Sequence, residues 1–380
     1  MHKICIKSWG QSQSTPGLNR TNISDTVSEI GNFSSNPVLF THPPILQRRG
    51  NVGEVRVRGL NLDLNHGFLP GLEEPQDARK NRHLNILLNW LREHPDDFHN
   101  AAPEIICWSS TLKEVMLTAV HVKAPKAAGI GWIIAVCKID RVLYMALDGY
   151  TYPEQYHERL LSEEELAALE FKEELMTYRG RKFEQYMTHP VEMETTLDSP
   201  LENRRHFCSF LARRINGINV IFGAEIDCQD PNASGTPAPG KYVEIKTTKL
   251  RNSSRKWKYN QYKLSRYWAQ ACIAGVSKVI IGLWNPKGTC VKIDEFDTAE
   301  IPDKAKTNPK TMATWSAEGC IDFLERFLKR VKEIVIEDHT QGIYKFQWSA
   351  DKKDEITVDF HPGPYHDFIQ NVLRSLRRPQ

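Results

Sequence analysis

Two short apolar segments, each running into charged residues, constrain the fold of this chain more than any other feature. The segments are "NVIFGAEIDC" and "KYVEIKTTK", and the loop "QDPNASGTPAPG" separates them. Apolar runs of this length, bounded by Gly, Pro and Asn, are typical of β-strands. The sequence therefore predicts two consecutive strands, and we expect them to pair as a hairpin.

Acidic side chains would converge where these strands meet. Residues i and i+2 of a strand point the same way, so Glu225 and Asp227 share a face about 6–7 Å apart, as do Glu244 and Lys246. Like charges at this distance repel, and a lysine or arginine, a metal ion or solvent must compensate. Oxygen ligands in this number suit Mg²⁺ or Mn²⁺. The alternative for "EIK" alone is an ordinary ion-pair ladder at a strand edge.

A basic stretch follows immediately. Residues 246–266 contain eight basic residues and no acidic one, with Trp257, Tyr259 and Tyr262 interleaved. Such a stretch is either a solvated basic face or a track for nucleic-acid phosphates.

Helical and strand patterns alternate irregularly along the rest of the chain. "ARKNRHLNILLNWLREH" has the spacing of an amphipathic helix, and "EIICWSSTLKEVML" indicates a strand, or a strand leading into a helix. A turn at Asp140 and Arg141 predicts a hairpin. Ser162 and Glu165 form a capping box that opens a long helix, within which Gly180 would permit close approach of another backbone. A further helix is predicted from about Trp257 to Ala274.

These patterns predict one α+β domain rather than two. Residues 1–35 are rich in Ser, Asn, Gln and Thr, so we expect a disordered tail followed by a domain over residues 36–380. Neither a secretory signal nor a membrane span is predicted. Eight cysteines without a CxxC pair argue against a structural zinc site and for reduced thiols without disulfide partners.

Four short motifs occur in order along the chain: "KFE" (182–184), "EID" (225–227), "EIK" (244–246) and "YWAQ" (267–270). Their order and approximate spacing resemble those of one known family, the DXO/Rai decapping exoribonucleases, and the resemblance covers roughly residues 35 to 365. It implies a PD-(D/E)xK-like nuclease core in a single domain. That domain would have a mixed central β-sheet and a second sheet, flanked by helices, with the active site in a cleft.

The resemblance also implies a site for two Mg²⁺ or Mn²⁺ ions. Its ligands would be Glu184, Glu225, Asp227, Glu244 and the backbone carbonyl of Ile245. Glu225 would hold the second ion directly or through water and so take part in catalysis. Lys246 and Gln270 would orient the attacking water and the scissile phosphate.

Candidate RNA-binding residues lie around this site. Lys263, Tyr267 and Gln270 are spaced to share one helix face, and Arg255 and Lys256 precede them in the basic stretch. The alternative is that Tyr267 and its neighbour Trp268 are core residues.

One position departs from the family pattern. Members carry an arginine in a "W-R-G" context that grips the RNA 5′ end, whereas this chain has Ser109 in "CWSSTLKEVM". Serine cannot make the two-pronged contact of arginine, a loss of about 1.5–3 kcal/mol. Lys113 would substitute in part.

The expected function is removal of incomplete caps, NAD caps or triphosphates from RNA 5′ ends, with 5′–3′ exoribonuclease activity in several relatives. The resemblance also implies a nuclear 5′–3′ exoribonuclease as protein partner and residence in the nucleus, with the cytoplasm as a second compartment. Two alternatives remain: a protein that binds RNA ends or partners without turnover, and a DNA nuclease on a similar core.

Overall fold

The computed structural model describes residues 2–6, 27–34, 45–46, 61–71, 82–122, 131–151, 162–189, 201, 207–233, 235–250, 256–307, 313–336, 342–352 and 354–363. The candidate RNA-binding residue Arg255 lies outside this part of the chain.

The described strands form two mixed sheets. In chain order they are β1 (His2–Cys5), β2 (Val27–Ser34), β3 (Ile45–Leu46), β4 (Leu62–Asp63), β5 (Ile105–Trp108), β6 (Gly131–Ile139), β7 (Val142–Thr151), β8 (Thr188–His189), β9 (Phe207–Ile215), β10 (Ile218–Ile226), β11 (Cys228–Gln229), β12 (Tyr242–Lys249), β13 (Lys278–Trp284), β14 (Thr289–Asp297), β15 (Gly342–Trp348) and β16 (Glu355–Pro362). The nine-stranded sheet has the order β1-β16-β15-β6-β7-β5-β10-β9-β2, and the seven-stranded sheet has the order β4-β14-β13-β12-β11-β3-β8.

Helices cover the sheets. They are α1 (Arg82–Glu93), α2 (Pro95–Ala101), α3 (Ser109–Val122), α4 (Glu163–Met187), α5 (Lys256–Lys258), α6 (Leu264–Ala274), α7 (Ile301–Lys304) and α8 (Ala317–Ile334), and a π-helical turn (Tyr259–Lys263) joins α5 to α6. The largest core cluster packs α3, α6 and α8 against the two sheets. The predicted α+β class with two sheets flanked by helices is therefore confirmed.

The predicted hairpin between the two acidic strands is wrong in most of its length. β10 pairs with β9 and β5 in the nine-stranded sheet, whereas β12 pairs with β13 in the other sheet. The pairing of this segment with β12 is limited to the two-residue strand β11 that follows β10, through Cys228 opposite Val243 and Gln229 opposite Tyr242. The chain thus leaves one sheet and enters the other at Asp227.

Two strands lie within residues 1–35, so the prediction of a disordered tail is wrong for them. β1 pairs with β16, and β2 pairs with β9. Both are edge strands. An edge strand is held largely by backbone hydrogen bonds to one neighbour, so its sequence need not be rich in apolar residues.

Several local predictions are confirmed. The hairpin β6–β7 turns at Asp140 and Arg141, both with positive φ, and α4 begins with the Ser162–Glu165 capping box. Gly180 differs from its prediction: a Cβ built there meets nothing within 4 Å, so close backbone approach does not explain this glycine.

Candidate active site

The site is built where the chain crosses between the two sheets. Asp227 links β10 to β11, and its Oδ2 accepts the backbone N–H of Ile245 at 2.6 Å. The ladder between β11 and β12 involves only the first two residues of β12, so this carboxylate takes a backbone donor beyond the end of that short ladder. The bond holds Asp227 against the middle of β12 and brings the "EID" and "EIK" segments together.

On β12, Glu244 and Lys246 point to the same side, as the alternation predicts. The Lys246 ammonium forms an ion pair with Glu244 and lies 3.6 Å from Asp227 Oδ2. Gln270 on α6 donates from Nε2 to Glu244 Oε1 at 2.5 Å. Glu244 is only 2% exposed, so these two donors satisfy a carboxylate that has little access to water. Two strands and one helix thus contribute to one cluster.

Glu184 reaches this cluster from α4. The preceding residue, Phe183, is buried against Gly282 of β13, where a Cβ would come within 2.7 Å of its ring. A side chain at that position of β13 would therefore push α4 away. α4 packs against β12, and the charges of Asp227, Lys246, Glu225 and Glu244 all shift the pKa of Glu184. The glycine fixes the helix close enough for its glutamate to join the strand residues.

The carboxylates of the cluster repel one another, and burial together with this repulsion raises the pKa values of Glu184 and Asp227. Burial, followed by the charge of Glu244, raises the pKa of Asp227 to about 7. Burial and Asp227 raise the pKa of Glu184 well above its usual value, and Glu225 acts in the same direction on both groups. Burial alone would lower the pKa of Lys246, but Asp227 and Glu244 outweigh it and raise that pKa, so the lysine stays protonated.

The donor set fits a hard divalent cation. Glu184, Asp227 and Glu244 surround the Lys246 ammonium, and Glu225 adds its charge to Glu184 and Asp227. Repulsion among these carboxylates adds to burial in raising the pKa values of Glu184 and Asp227, and a bound divalent cation would relieve it. Among the described residues, no three carboxylate, imidazole or thiol groups already stand in a ligand arrangement. One carboxylate oxygen of Asp227 accepts the Ile245 N–H, and one of Glu244 accepts the Gln270 amide N–H.

The predicted RNA-binding residues are only partly brought together. Lys256 and Lys263 are exposed, and Trp257 is 38% exposed with the Lys258 ammonium 5.7 Å from the centre of its ring. Tyr267 is 5% exposed and bonds through its hydroxyl to the Thr247 carbonyl. Tyr267 is therefore a core residue, as the alternative expected, and a contact between Tyr267 and RNA stays a prediction. Arg255 lies outside the described residues, and Trp268 is core, as expected.

Three charged residues beside the site were not singled out together from the sequence. Ser109 is the first residue of α3, and Lys113 lies one turn further along the same helix. Glu114, which is 6% exposed, holds Arg266 of α6 with an Nη1–Oε1 distance of 2.7 Å. The sequence signals for Arg266 were its place at the end of the basic stretch 246–266 and its position four residues before Gln270, which places the two side chains on one helix face.

The chain resembles known proteins over most of its length. The sequence model of the RAI1-like PD-(D/E)XK nucleases matches residues 29–372. The decapping and exoribonuclease protein of Bos taurus is 30% identical over 315 residues, which cover 81% of this chain and 74% of that protein. The protein of the same name from Homo sapiens is 29% identical over 317 residues, covering 82% and 75% respectively.

Solved structures show the same fold. The Candida albicans Rai1 structure, in complex with pU5 and Mn²⁺, matches 92% of this chain and 96% of its own with a TM-score of 0.71 and 16% sequence identity. The K. lactis Dxo1 structure, in complex with manganese, has a TM-score of 0.62 and 12% identity over 96% and 98% of the two chains.

Proposed function

The chain belongs to the RAI1-like PD-(D/E)XK nuclease family, and we propose that it is a metal-dependent hydrolase that processes RNA 5′ ends. Its substrates would be incompletely capped, NAD-capped or triphosphorylated RNAs, followed by 5′–3′ degradation of the RNA body. The observation that carries this proposal is the convergence of Glu184, Asp227 and Glu244 with Lys246 and Gln270 at the junction of the sheets. Relatives with decapping and exoribonuclease names support the substrate class.

Each residue of the cluster has a chemical role. Glu184, Asp227 and Glu244 would hold the ions, with Glu225 at the second one and the Ile245 peptide beside Asp227. Bound Mg²⁺ or Mn²⁺ would polarise the phosphate and supply an activated water.

Lys246 and Gln270 complete the site. The raised pKa of Lys246 keeps it an ammonium, which suits stabilisation of negative charge on phosphate oxygens rather than proton abstraction. Gln270 fixes Glu244 through its amide and so controls the direction of that ligand.

The exposed start of the 256–274 helical segment suits the RNA body. Lys256 and Lys258 flank the half-exposed Trp257, and a ring beside cations can stack with bases of any sequence. Lys263 is also exposed and ends the π-helical turn that leads into α6, the helix that carries Gln270.

The test is an end-labelled RNA panel incubated with Mn²⁺. The panel spans triphosphate, unmethylated cap, methylated cap, NAD and monophosphate ends. We expect release of cap or nucleotide, abolished by Glu244→Gln and retained by Glu295→Gln. Glu295 is a matched control because it forms a 3.1 Å ion pair with Lys278 on the neighbouring strand pair. Absence of product from every RNA would reject the hydrolase, and equal turnover of single-stranded DNA would indicate a DNA nuclease.

A second candidate function rests on Ser109. Without the arginine of the family motif, the chain could hold RNA ends or a protein partner without turnover. Binding of 5′-monophosphate RNA with no product in the panel would favour it. The proposal includes a protein partner, a nuclear 5′–3′ exoribonuclease. It also places the protein in the nucleus, with the cytoplasm as a second compartment. Co-purification of the tagged chain and its imaging in cells test these points.

A further inference from the structure

Two cations share one carboxylate beside the acidic cluster. Glu114 Oε1 lies 2.7 Å from Arg266 Nη1 and 3.6 Å from Lys113 Nζ, and Arg266 Nη2 lies 3.4 Å from Oε2. The cations outweigh the pKa-raising effect of burial and lower the pKa of Glu114, so the carboxylate stays ionised. The trio carries one surplus positive charge. A structural ion pair alone would need only one of the two cations.

The trio lies next to the reacting groups. Arg266 is four residues before Gln270 on α6, and Gln270 bonds to Glu244. The ammonium of Lys113 interacts electrostatically with Lys246 and Glu244 as well as with Glu114 and Arg266. A group bound between Lys113 and Arg266 would therefore border the cluster that is proposed to hydrolyse the RNA end.

Arg266 is both fixed and accessible. Its side chain is 40% exposed, although Glu114 beneath it is 6% exposed. Of the five N–H donors of a guanidinium, Glu114 engages one on each of two nitrogens, while the side chain as a whole stays 40% exposed. A guanidinium held on one edge by a buried carboxylate is preorganised to receive a phosphate on the other.

On the premise of the proposed function, we propose that Arg266 and Lys113 grip the terminal phosphate of the RNA and that Glu114 is the positioning residue that holds Arg266. This pair supplies the charge that Ser109 lacks. Ser109 and Lys113 are one turn apart on α3, so the lysine projects from the same helix face as an arginine at position 109 would.

The test compares binding of two oligouridylates that differ only in a 5′-monophosphate or a 5′-hydroxyl end. Fluorescence anisotropy in EDTA measures affinity without hydrolysis, so the result does not depend on turnover. We expect tighter binding of the phosphorylated RNA. Arg266→Met and Lys113→Met should each reduce this preference about tenfold, the loss of one charge-assisted contact. Arg326→Met is the control, because Arg326 also pairs with a carboxylate, Asp322 at 2.9 Å, but on α8.

An arginine at position 109, as in the family motif, distinguishes phosphate binding by Arg266 from a purely structural role of Arg266. Ser109→Arg in the Arg266→Met background should recover the preference, whereas a merely structural Arg266 would not be replaced from another helix. If Arg266→Met fails to fold, Glu114→Gln/Arg266→Met removes both partners and carries the same expectation. An unchanged preference in the Arg266 and Lys113 variants, or no recovery with Ser109→Arg, overturns the proposal. A preference without product in the RNA panel would reject the hydrolase and leave the phosphate grip intact.

Discussion

Replacing Asp227 by asparagine should stabilise the metal-free protein at pH 8 while it removes activity. Asparagine is isosteric, and its side-chain oxygen can still accept the Ile245 N–H bond that Asp227 receives at 2.6 Å. Asparagine carries no charge, so it removes the repulsion between the Asp227 carboxylate and those of Glu184, Glu225 and Glu244.

The magnitude follows from the pKa of Asp227. Burial, then Glu244, raises this pKa from 3.8 to about 7. The unfolded carboxylate ionises near pH 3.8, while the folded one keeps its proton up to about pH 7. The raised pKa therefore destabilises the folded state by an amount that is zero below pH 3.8, grows with pH and reaches its maximum above pH 7. About three pKa units correspond to at most about 4 kcal/mol. Loss of the Lys246 contact offsets part of this gain.

Thermal and urea unfolding in EDTA at pH 5 and pH 8 measure the effect. We expect Asp227→Asn to be more stable than the parent at pH 8, with a smaller difference at pH 5. The matched change Asp230→Asn should destabilise, because Asp230 is buried and paired with Lys278 at 3.2 Å. A less stable Asp227→Asn protein at pH 8 would refute the view that the carboxylates repel one another without metal.

Three further changes test the fold. Gly180→Ala should stabilise by about 1 kcal/mol in urea unfolding, because helix propensity rises and the Cβ meets open space; a loss would contradict this. Gly282→Ala should destabilise by about 1–3 kcal/mol, since its Cβ would lie 2.7 Å from the Phe183 ring, and unchanged unfolding would refute that close contact. His121 has a pKa lowered by burial from 6.5 to about 4, so stability should fall by at most about 3 kcal/mol as pH drops through that interval. His121→Phe keeps a ring beside Tyr262 and should flatten this pH profile; a profile equal to the parent's would contradict the assignment.

The side of a strand on which each side chain lies was predictable from the sequence. Side-chain alternation along β12 places Glu244 and Lys246 on one side, and the structure joins them as an ion pair. The pairing of strands was not predictable in the same way. β10 stays in the nine-stranded sheet because it pairs with β9, which directly precedes it, and with β5, which lies more than a hundred positions upstream. Side-chain alternation carries no information about such partners.

Burial on the helices depended on packing that the sequence alone does not reveal. The spacing of Tyr267 and Gln270 was compatible with one exposed stripe, yet the sheet beneath α6 covers Tyr267 and leaves Arg266 accessible. Glu184 lies in a glutamate-rich helix, and only the short "KFE" motif distinguished it from solvated neighbours. Its proximity to Asp227 depends on Phe183 packing against Gly282, on a strand far along the chain.

The most direct test of the account is a calorimetric titration of Mn²⁺ into the parent protein, Glu184→Gln, Glu244→Gln and the control Glu295→Gln. Removing one ligand typically weakens metal binding by more than tenfold, because the remaining carboxylates no longer balance the ion's charge. We expect clear binding to the parent and to Glu295→Gln, with at least tenfold weaker binding to Glu184→Gln and Glu244→Gln. Equal Mn²⁺ affinity in all four proteins would contradict the claim that these carboxylates form a metal centre.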